Sequence, residues 1–264
     1  MSYQIIMPPD PLKAYVRYFW TLEGRPGDGA QKSFTVMCNG LPGLVFQQAP
    51  EVFTGFEGEQ LPQLFVFGQA KKYGQLHAGG NFNNIGVCFE PTALKAVFGI
   101  DANGLTDKNI CISDLAKTHL TEQLLNSSSV QQRIGHISAF IQQRTQGYAE
   151  PDKRPVYAAA ALMQGKKLQH VLHELNLSER SLERIFLSHV GITPILYARI
   201  CRFQSSLSLL QQGKVNSLTR LAHALGYFDQ SHFIRDFKLF SGVSPGIYLR
   251  KATELMPGFP EWET

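Results

Sequence analysis

The stretch Leu218–Arg250, LTRLAHALGYFDQSHFIRDFKLFSGVSPGIYLR, decides the architecture of the C-terminal half. Ser217 is a candidate N-cap, and Leu218, Leu221, Ala222 and Leu225 are spaced as the apolar face of a short helix. Gly226 supplies a turn residue that tolerates positive φ. Asp229 is placed to cap a second helix, Gln230–Phe240, in which Phe233, Phe237 and Phe240 fall at i, i+4 and i+7 and face inward. Ser231, Arg235 and Lys238 form another stripe that faces out. Gly242 ends this helix, and Ser244-Pro245 opens the next with a cap residue and a first-turn proline. This is the layout of a helix-turn-helix.

The same layout occurs earlier in the chain. Arg184, Phe186, Gly191, Thr193-Pro194, Tyr197 and Arg199 match Arg235, Phe237, Gly242, Ser244-Pro245, Tyr248 and Arg250 at an offset of 51 (242 − 191). Upstream, Leu175 and Asn176 match Leu225 and Gly226 at an offset of 50 (226 − 176), so the second turn is one residue longer. Two copies are too few for a repeat array and indicate two linked helix-turn-helix units. LQHVLHEL forms the first helix of the earlier unit, and Ser178 caps its second helix to about His189. Pro194 opens a long connecting helix to Gln212, and PVYAAAALMQG forms a short helix before the first unit.

Charge separates along the same division. Residues 151–252 hold 14 Lys+Arg and 6 Asp+Glu, a balance of +8; the remainder hold 11 and 15, a balance of −4, which together give the net +4. A basic half points to a polyanionic partner. The whole chain of 264 residues is 44% hydrophobic and 17% charged, the composition of an ordinary globular protein of two domains. No apolar run reaches the ~18 residues of a membrane span, and the N-terminus lacks the basic start and apolar core of a signal peptide. A cytoplasmic protein without a membrane partner is therefore expected. Cys38, Cys88, Cys111 and Cys201 form no CxxC, so neither a zinc knuckle nor a thioredoxin-like site is indicated. They read as small buried hydrophobes, and no metal, cofactor or catalytic residue is expected.

The N-terminal half reads differently. Leu12, Tyr15, Val16, Phe19 and Trp20 have helical spacing, but YVRYFWTL is equally β-prone. Residues 25–32 read as a loop. Six short strands follow between residues 33 and 90, in SFTVMC, GLVFQQ, EVFTGF, QLFVFGQ, YGQLHAG and NIGVCFE, punctuated by Gly, Pro and Asn. This spacing indicates a small sandwich or barrel able to hold a small ligand between its faces. Trp20, Phe46, Phe67, Gln69, Tyr73, His77 and Cys88 are the candidate pocket residues, against the plainer reading of core or surface. Pro91 can open a helix through Leu94, Val97 and Phe98 that stops at Gly99, and Ser113 can cap one helix through Leu125. Val130, Ile134, Ile137, Phe140 and Ile141 form a stripe on a further helix, which either packs on the β-domain or pairs two copies.

The fold class is thus α+β, with an N-terminal small β-barrel or sandwich carrying helices and a C-terminal all-α double helix-turn-helix domain. The domains are 1–146 (sensor or dimerisation), a linker 147–154, a DNA-binding domain 155–252, and a peripheral tail 253–264. In a helix-turn-helix the second helix enters the major groove. With Leu182, Ile185 and Phe186 buried, Arg180, Ser181, Glu183 and Arg184 face out of the first unit; Ser231, His232, Arg235 and Lys238 face out of the second. Arginine can pair bidentately with guanine and glutamate can accept from cytosine N4. Glu183 could instead pair with Arg180, and Arg184 or Arg235 could contact phosphate or join an ion pair with Asp236 or Asp229. Lys166, Lys167, Arg199, Arg202, Lys214, Lys238 and Arg250 are the phosphate candidates.

The stretch LAHALGYFDQSHFIRDFKLFSGVSPGIY closely resembles the C-terminal signature of AraC/XylS-type bacterial transcriptional regulators, over about residues 155–251. The resemblance implies a seven-helix domain that reads two major-groove segments of double-stranded DNA. It places the family's base-contacting positions at Arg180, Glu183, Arg184, Ser231, His232 and Arg235. Leu172 stands where a small alanine is usual, and Asn176 stands where a turn glycine is common. The N-terminal half is similar to AraC-type regulators whose sensor domain opens with a YVRYFW-like stretch and contains a GVCFEPTALKAVFG-like one. In such proteins that domain commonly binds a small effector or dimerises. RNA polymerase, a small effector and a second copy are the further partners expected. The competing functions are a DNA-repair or base-modifying enzyme, which needs a nucleophilic cysteine such as Cys38 or Cys88 or a metal-activated water, and an architectural DNA binder with an inert N-domain.

Overall fold

The structure, a computed structural model, describes residues 2–24, 32–55, 58–146, 152–213, 215, 217–251 and 261–263. The N-terminal half is built from β1 (Ser2–Ile6), β2 (Val16–Gly24), β3 (Lys32–Val36), β4 (Gly43–Gln47), β5 (Phe53–Gly55), β6 (Leu64–Phe67), β7 (Gly74–Ala78), β8 (Phe82–Phe89) and β9 (Asn109–Cys111). One sheet runs β1-β2-β8-β4-β6-β9. The other is led by β3-β7-β5, with a short strand β10 (Glu261–Glu263) pairing antiparallel with β3. The two sheets face each other and stay open, so of the two β-architectures expected the sandwich is the one present.

All six strands expected between residues 33 and 90 form. The 15–22 stretch is a strand and not a helix, held on one side by β1 and on the other by β8, with Trp20 opposite Gly86. Side-chain alternation then sorts each strand into two faces. From β8, Ile85, Val87 and Phe89 join one core with Leu44, Phe46, Leu64 and Val66, beneath helices. Phe82, Asn84, Gly86 and Cys88 alternate onto the face that looks at the second sheet.

The helices of this half are α1 (Ala93–Phe98), α2 (Ile112–Leu115), α3 (Leu120–Leu125) and α4 (Val130–Thr145). Gly99 ends α1 with φ +70°, as its sequence predicts. The single helix from Ser113 to Leu125 does not form. Ala116 is extended, and Thr118 Oγ1 accepts from Leu120 N at 3.1 Å, giving the backbone a local partner that competes with helix continuation. The break also lets both Ile112 and Leu120 reach the core. Ser129 caps α4 by accepting from Gln132 N. Its apolar stripe is consumed internally: Ile137, Phe140 and Ile141 are buried with α1 and the sheet, with Val130 and Ile134 partly buried beside them. Of the two roles expected for this helix, packing is the one observed, and no apolar stripe remains for pairing two copies through α4.

The C-terminal half is helical: α5 (Lys153–Met163), α6 (Leu168–Leu175), α7 (Glu179–His189), α8 (Pro194–Gln211), α9 (Leu218–Ala224), α10 (Gln230–Ser241) and α11 (Pro245–Lys251). Asp152 caps α5, so the helix starts two residues before the expected domain boundary at Pro155. Residues 147–151 of the expected linker lie outside the described residues, as do most of the 25–32 loop and residues 253–260 of the tail. The α8 helix, 18 residues, is about 27 Å long and joins the two helix-turn-helix units. No helix among the described residues is long and apolar enough to cross a membrane.

The two halves share a core. Met37 and Cys38, at the end of β3, are buried among Phe186, Tyr197, Phe203, Phe237 and Phe240 of the helical half.

Candidate DNA interface and N-terminal cavity

Each helix-turn-helix is set by local hydrogen bonds. In the first, Asn176 adopts φ +50°, and Leu177 N donates to Leu172 O at 3.0 Å. The unusual Leu172 is accommodated: it is buried with Leu182 and Phe186. Ser178 Oγ then accepts from Ser181 N at 3.2 Å and starts α7. In the second, Tyr227 N donates to Ala222 O at 2.9 Å beside Gly226, and Asp229 Oδ1 accepts from His232 N at 2.7 Å to start α10.

This geometry sorts the expected DNA-contacting residues. Arg180, Glu183 and Arg184 are exposed on α7, and Ser231, Arg235 and Lys238 are exposed on α10. None of Arg180, Glu183, Arg184, Arg235 and Lys238 makes an ion pair among the described residues. The ion-pair alternatives for Arg184 and Arg235 are therefore not realised. Asp229 is occupied as a cap, and Asp236 is held by Arg199. His232 is only half-exposed, edge-on to Tyr227 with ring centres 5.3 Å apart and 3.9 Å from Asp236.

Three expected phosphate candidates are engaged inside the protein. Arg199 bonds Asp236 at 2.7 and 3.3 Å and lies over the Phe240 ring, and the pairing holds its guanidinium above its ordinary range. Arg202 donates to Gly226 O at 3.2 Å and stacks over Tyr227 at 4.9 Å, bracing the second turn. Lys166 bonds Glu174 at 2.8 Å and Tyr157 at 3.1 Å, tying α5 to α6. Arg199, Arg202 and Lys166 thus each have a partner within the fold. Lys167 and Arg250 remain exposed, and Lys214 lies outside the described residues.

Between the sheets lies a cavity of about 610 Å³. Of the expected pocket residues, Trp20, Phe67, Tyr73 and Cys88 line it. Phe46 does not: strand alternation turns it to the opposite face, fully buried under the Arg133 guanidinium at 5.4 Å. Gln69 is buried outside the lining and donates to Gly40 O at 2.9 Å. His77 meets Ser33 Oγ at 2.8 Å across β3 and β7, also outside it. Asn84, Gln47 and Tyr18 line the cavity and were not anticipated. An isolated amide at a core-parity position of FNNIGVCF is the signal that would have marked Asn84.

The cavity rim touches the helical half. Tyr73 N donates to Leu239 O at 3.1 Å and Cys38 N donates to Phe240 O at 3.1 Å, both at the C-terminal end of α10. Gly242, with φ +81°, lets the Tyr73 ring approach so closely that a Cβ there would sit 3.0 Å from it. The C-terminal end of α7 is pinned as well. Thr106 Oγ1 donates to Gly191 O at 2.6 Å, Ser188 Oγ donates to Asp101 Oδ1 at 2.6 Å, and Lys95 bonds both Ser188 and Asp101. Lys95 and Ser188 hold the Asp101 carboxyl below its usual range.

Comparison with known proteins agrees with this division. Residues 4–111 match a family described as a domain of unknown function (DUF6597). An uncharacterized helix-turn-helix-type transcriptional regulator YidL of Escherichia coli (strain K12) is 31% identical over 113 residues, 41% of this chain and 38% of that protein. RafR, the raffinose operon transcriptional regulatory protein of Pediococcus pentosaceus, is 31% identical over 84 residues, 32% of this chain and 30% of its own length. Each match thus spans less than two fifths of the relative's length. A crystal structure of ToxT from Vibrio cholerae O395 aligns with 90% of this chain and 99% of its own at 13% identity and a TM-score of 0.45. A helix-turn-helix domain family matches residues 171–251, the segment that holds both turns and both exposed helices; this part of the chain is an AraC-type helix-turn-helix domain.

Proposed function

We propose that the chain is a sequence-specific DNA-binding transcriptional regulator. In this reading α7 and α10 enter two adjacent major-groove segments, and the N-terminal cavity takes a small effector. One observation carries it. The cations of the helical half divide into those engaged within the fold, Lys166, Arg199 and Arg202, and those without an ion-pair partner among the described residues on the two second helices, Arg180, Arg184, Arg235 and Lys238. Unpaired cations on the groove-facing surface of both units are what a two-site DNA reader requires. RNA polymerase and a second copy are met on the DNA.

Selection of bound sites from random DNA with the full chain, followed by footprinting, tests the reading. Two short elements about one helical turn apart are expected. A direct repeat of that pair would indicate two copies. A single element would assign base readout to one unit, and no enrichment would overturn the reading. Arg235→Ala is expected to cost ~1–3 kcal/mol at one base position of the selected site. An equal loss across all site variants would place Arg235 on phosphate.

The effector would act through the rim. Tyr73 lines the cavity and also bonds the end of α10, so a ligand that shifts it shifts the second reading helix. Tyr73→Ala should raise hydrogen exchange at the amides of residues 241–243 by about tenfold, a local loss of ~1.4 kcal/mol. Unchanged exchange there would detach the cavity from α10.

The repair-enzyme reading is not favoured at Cys38 or Cys201. Burial pushes the thiols of Cys38 and Cys201 up to about 12, opposite to the direction a nucleophilic cysteine needs. A cavity of this size also separates the protein from an architectural binder with a filled N-domain.

A further inference from the structure

The floor of the cavity is aromatic, and its charges are confined to the rim. Tyr3, Trp20, Phe53, Phe65 and Phe67 supply ring surface, while the charged lining residues Glu59, Lys72, Asp107 and Lys108 are all exposed. Two amides lie deep. Gln47, 1% exposed, donates through Nε2 to Leu61 O at 3.3 Å and Pro62 O at 2.9 Å, and is thereby occupied. Asn84 sits directly opposite it, between Gln47 of β4 and Leu22 of β2. It is 4% exposed, and its Oδ1 has no hydrogen-bond partner among the described residues.

A buried amide without partners is costly, roughly 1–3 kcal/mol for each unsatisfied group, and such groups are ordinarily satisfied. Asn84 stands on β8, inside the sheet, on the face that borders the cavity, and is one of the residues that line it. We propose that the cavity binds an uncharged, ring-built apolar molecule whose hydroxyl hydrogen-bonds the Asn84 amide. A hydroxyl both donates and accepts, so it satisfies Oδ1 and Nδ2 alike, whichever way the amide is turned. Among the described residues no charged side chain stands at that depth, so a buried carboxylate or ammonium would lack a counter-ion there. This deepens the effector reading above and rests on it.

Isothermal titration of the full chain with three ligands sharing one ring system tests the inference: 2-naphthol, naphthalene and 2-naphthoate. The naphthol is expected to bind about tenfold more tightly than naphthalene, the effect of one hydrogen bond to an otherwise unpaired buried group. Asn84→Leu should bring the two together by weakening the naphthol alone. Asn84→Ser, smaller and still able to hydrogen-bond, should keep part of the preference. The wild-type series stands even if Asn84→Leu fails to fold. Equal binding of naphthol and naphthalene would overturn the assignment of Asn84. Tightest binding of the naphthoate, lost on Lys72→Ala, would move recognition to the rim and overturn the uncharged class. No binding of any of the three would overturn the ligand class altogether. These titrations contain no DNA, so a failure to select DNA sites leaves their outcome readable on its own.

Discussion

Phe237→Ala is expected to destabilise the protein by about 4 kcal/mol, the usual cost of removing a buried phenyl ring from a core that cannot collapse around the void. Phe237 is fully buried. Its ring centre lies 5.2 Å from Phe203, 5.7 Å from Phe233 and 5.6 Å from Tyr248, so α8, α10 and α11 all meet on it. With a whole domain stable by only about 5–15 kcal/mol, this loss leaves the second helix-turn-helix marginal. Urea unfolding followed by far-UV circular dichroism measures it. The consequence for DNA is specific: Arg235 and Lys238 stand on the same helix, so protection should fade over one of the two footprinted elements first. A cost under 1 kcal/mol would mean that the three remaining rings repack, and that α10 is not oriented by this contact.

Asp236→Ala should cost about 3 kcal/mol by a different route. Asp236 is 2% exposed and holds Arg199 through two hydrogen bonds. Removing the carboxylate leaves a largely desolvated guanidinium against the Phe240 ring with no counter-charge. Because Arg199 keeps about a third of its side chain in solvent, the loss falls at the lower end for a broken buried pair. Adding Arg199→Met should recover most of it, since the double change removes both charges and fills similar volume. If the double variant is no more stable than Asp236→Ala, desolvation is not the cause. Arg235, one residue earlier and exposed, is the control: its loss should change DNA binding and leave the unfolding midpoint where it is.

That pair of neighbours shows what could be read from the chain and what could not. Helix ends were legible because their determinants lie within a few residues of one another. Ser178, Ser217 and Asp229 cap by reaching an amide three residues ahead, and Gly242 adopts positive φ where the helix stops. The doubled pattern 51 residues apart made the two units visible without any structure. Strand alternation was equally local, and it placed the six strands between residues 33 and 90. The strands β1 and β9 were missed because short segments of mixed polarity become strands only when a neighbour's backbone is present to pair with them.

The function of a given side chain was decided elsewhere. Phe46 and Phe67 look alike in the chain, yet one is sealed under Arg133 and the other lines the cavity, because the parity of each strand is read against two layers that exist only after folding. Arg199 and Arg235 carry the same charge on helices of the same half. The first is taken by Asp236, 37 residues away, and the second by nothing among the described residues. The ties that join the cavity to α10, Cys38 to Phe240 and Tyr73 to Leu239, bridge backbones with no local motif between them. The sequence by itself therefore determined the helix-turn-helix pair, the caps and the alternating strands, since these rest on bonds that close within a few residues. The tertiary structure alone decided which cations stay free, which face holds the cavity and how the halves are coupled, since these rest on pairings between segments that only folding brings together.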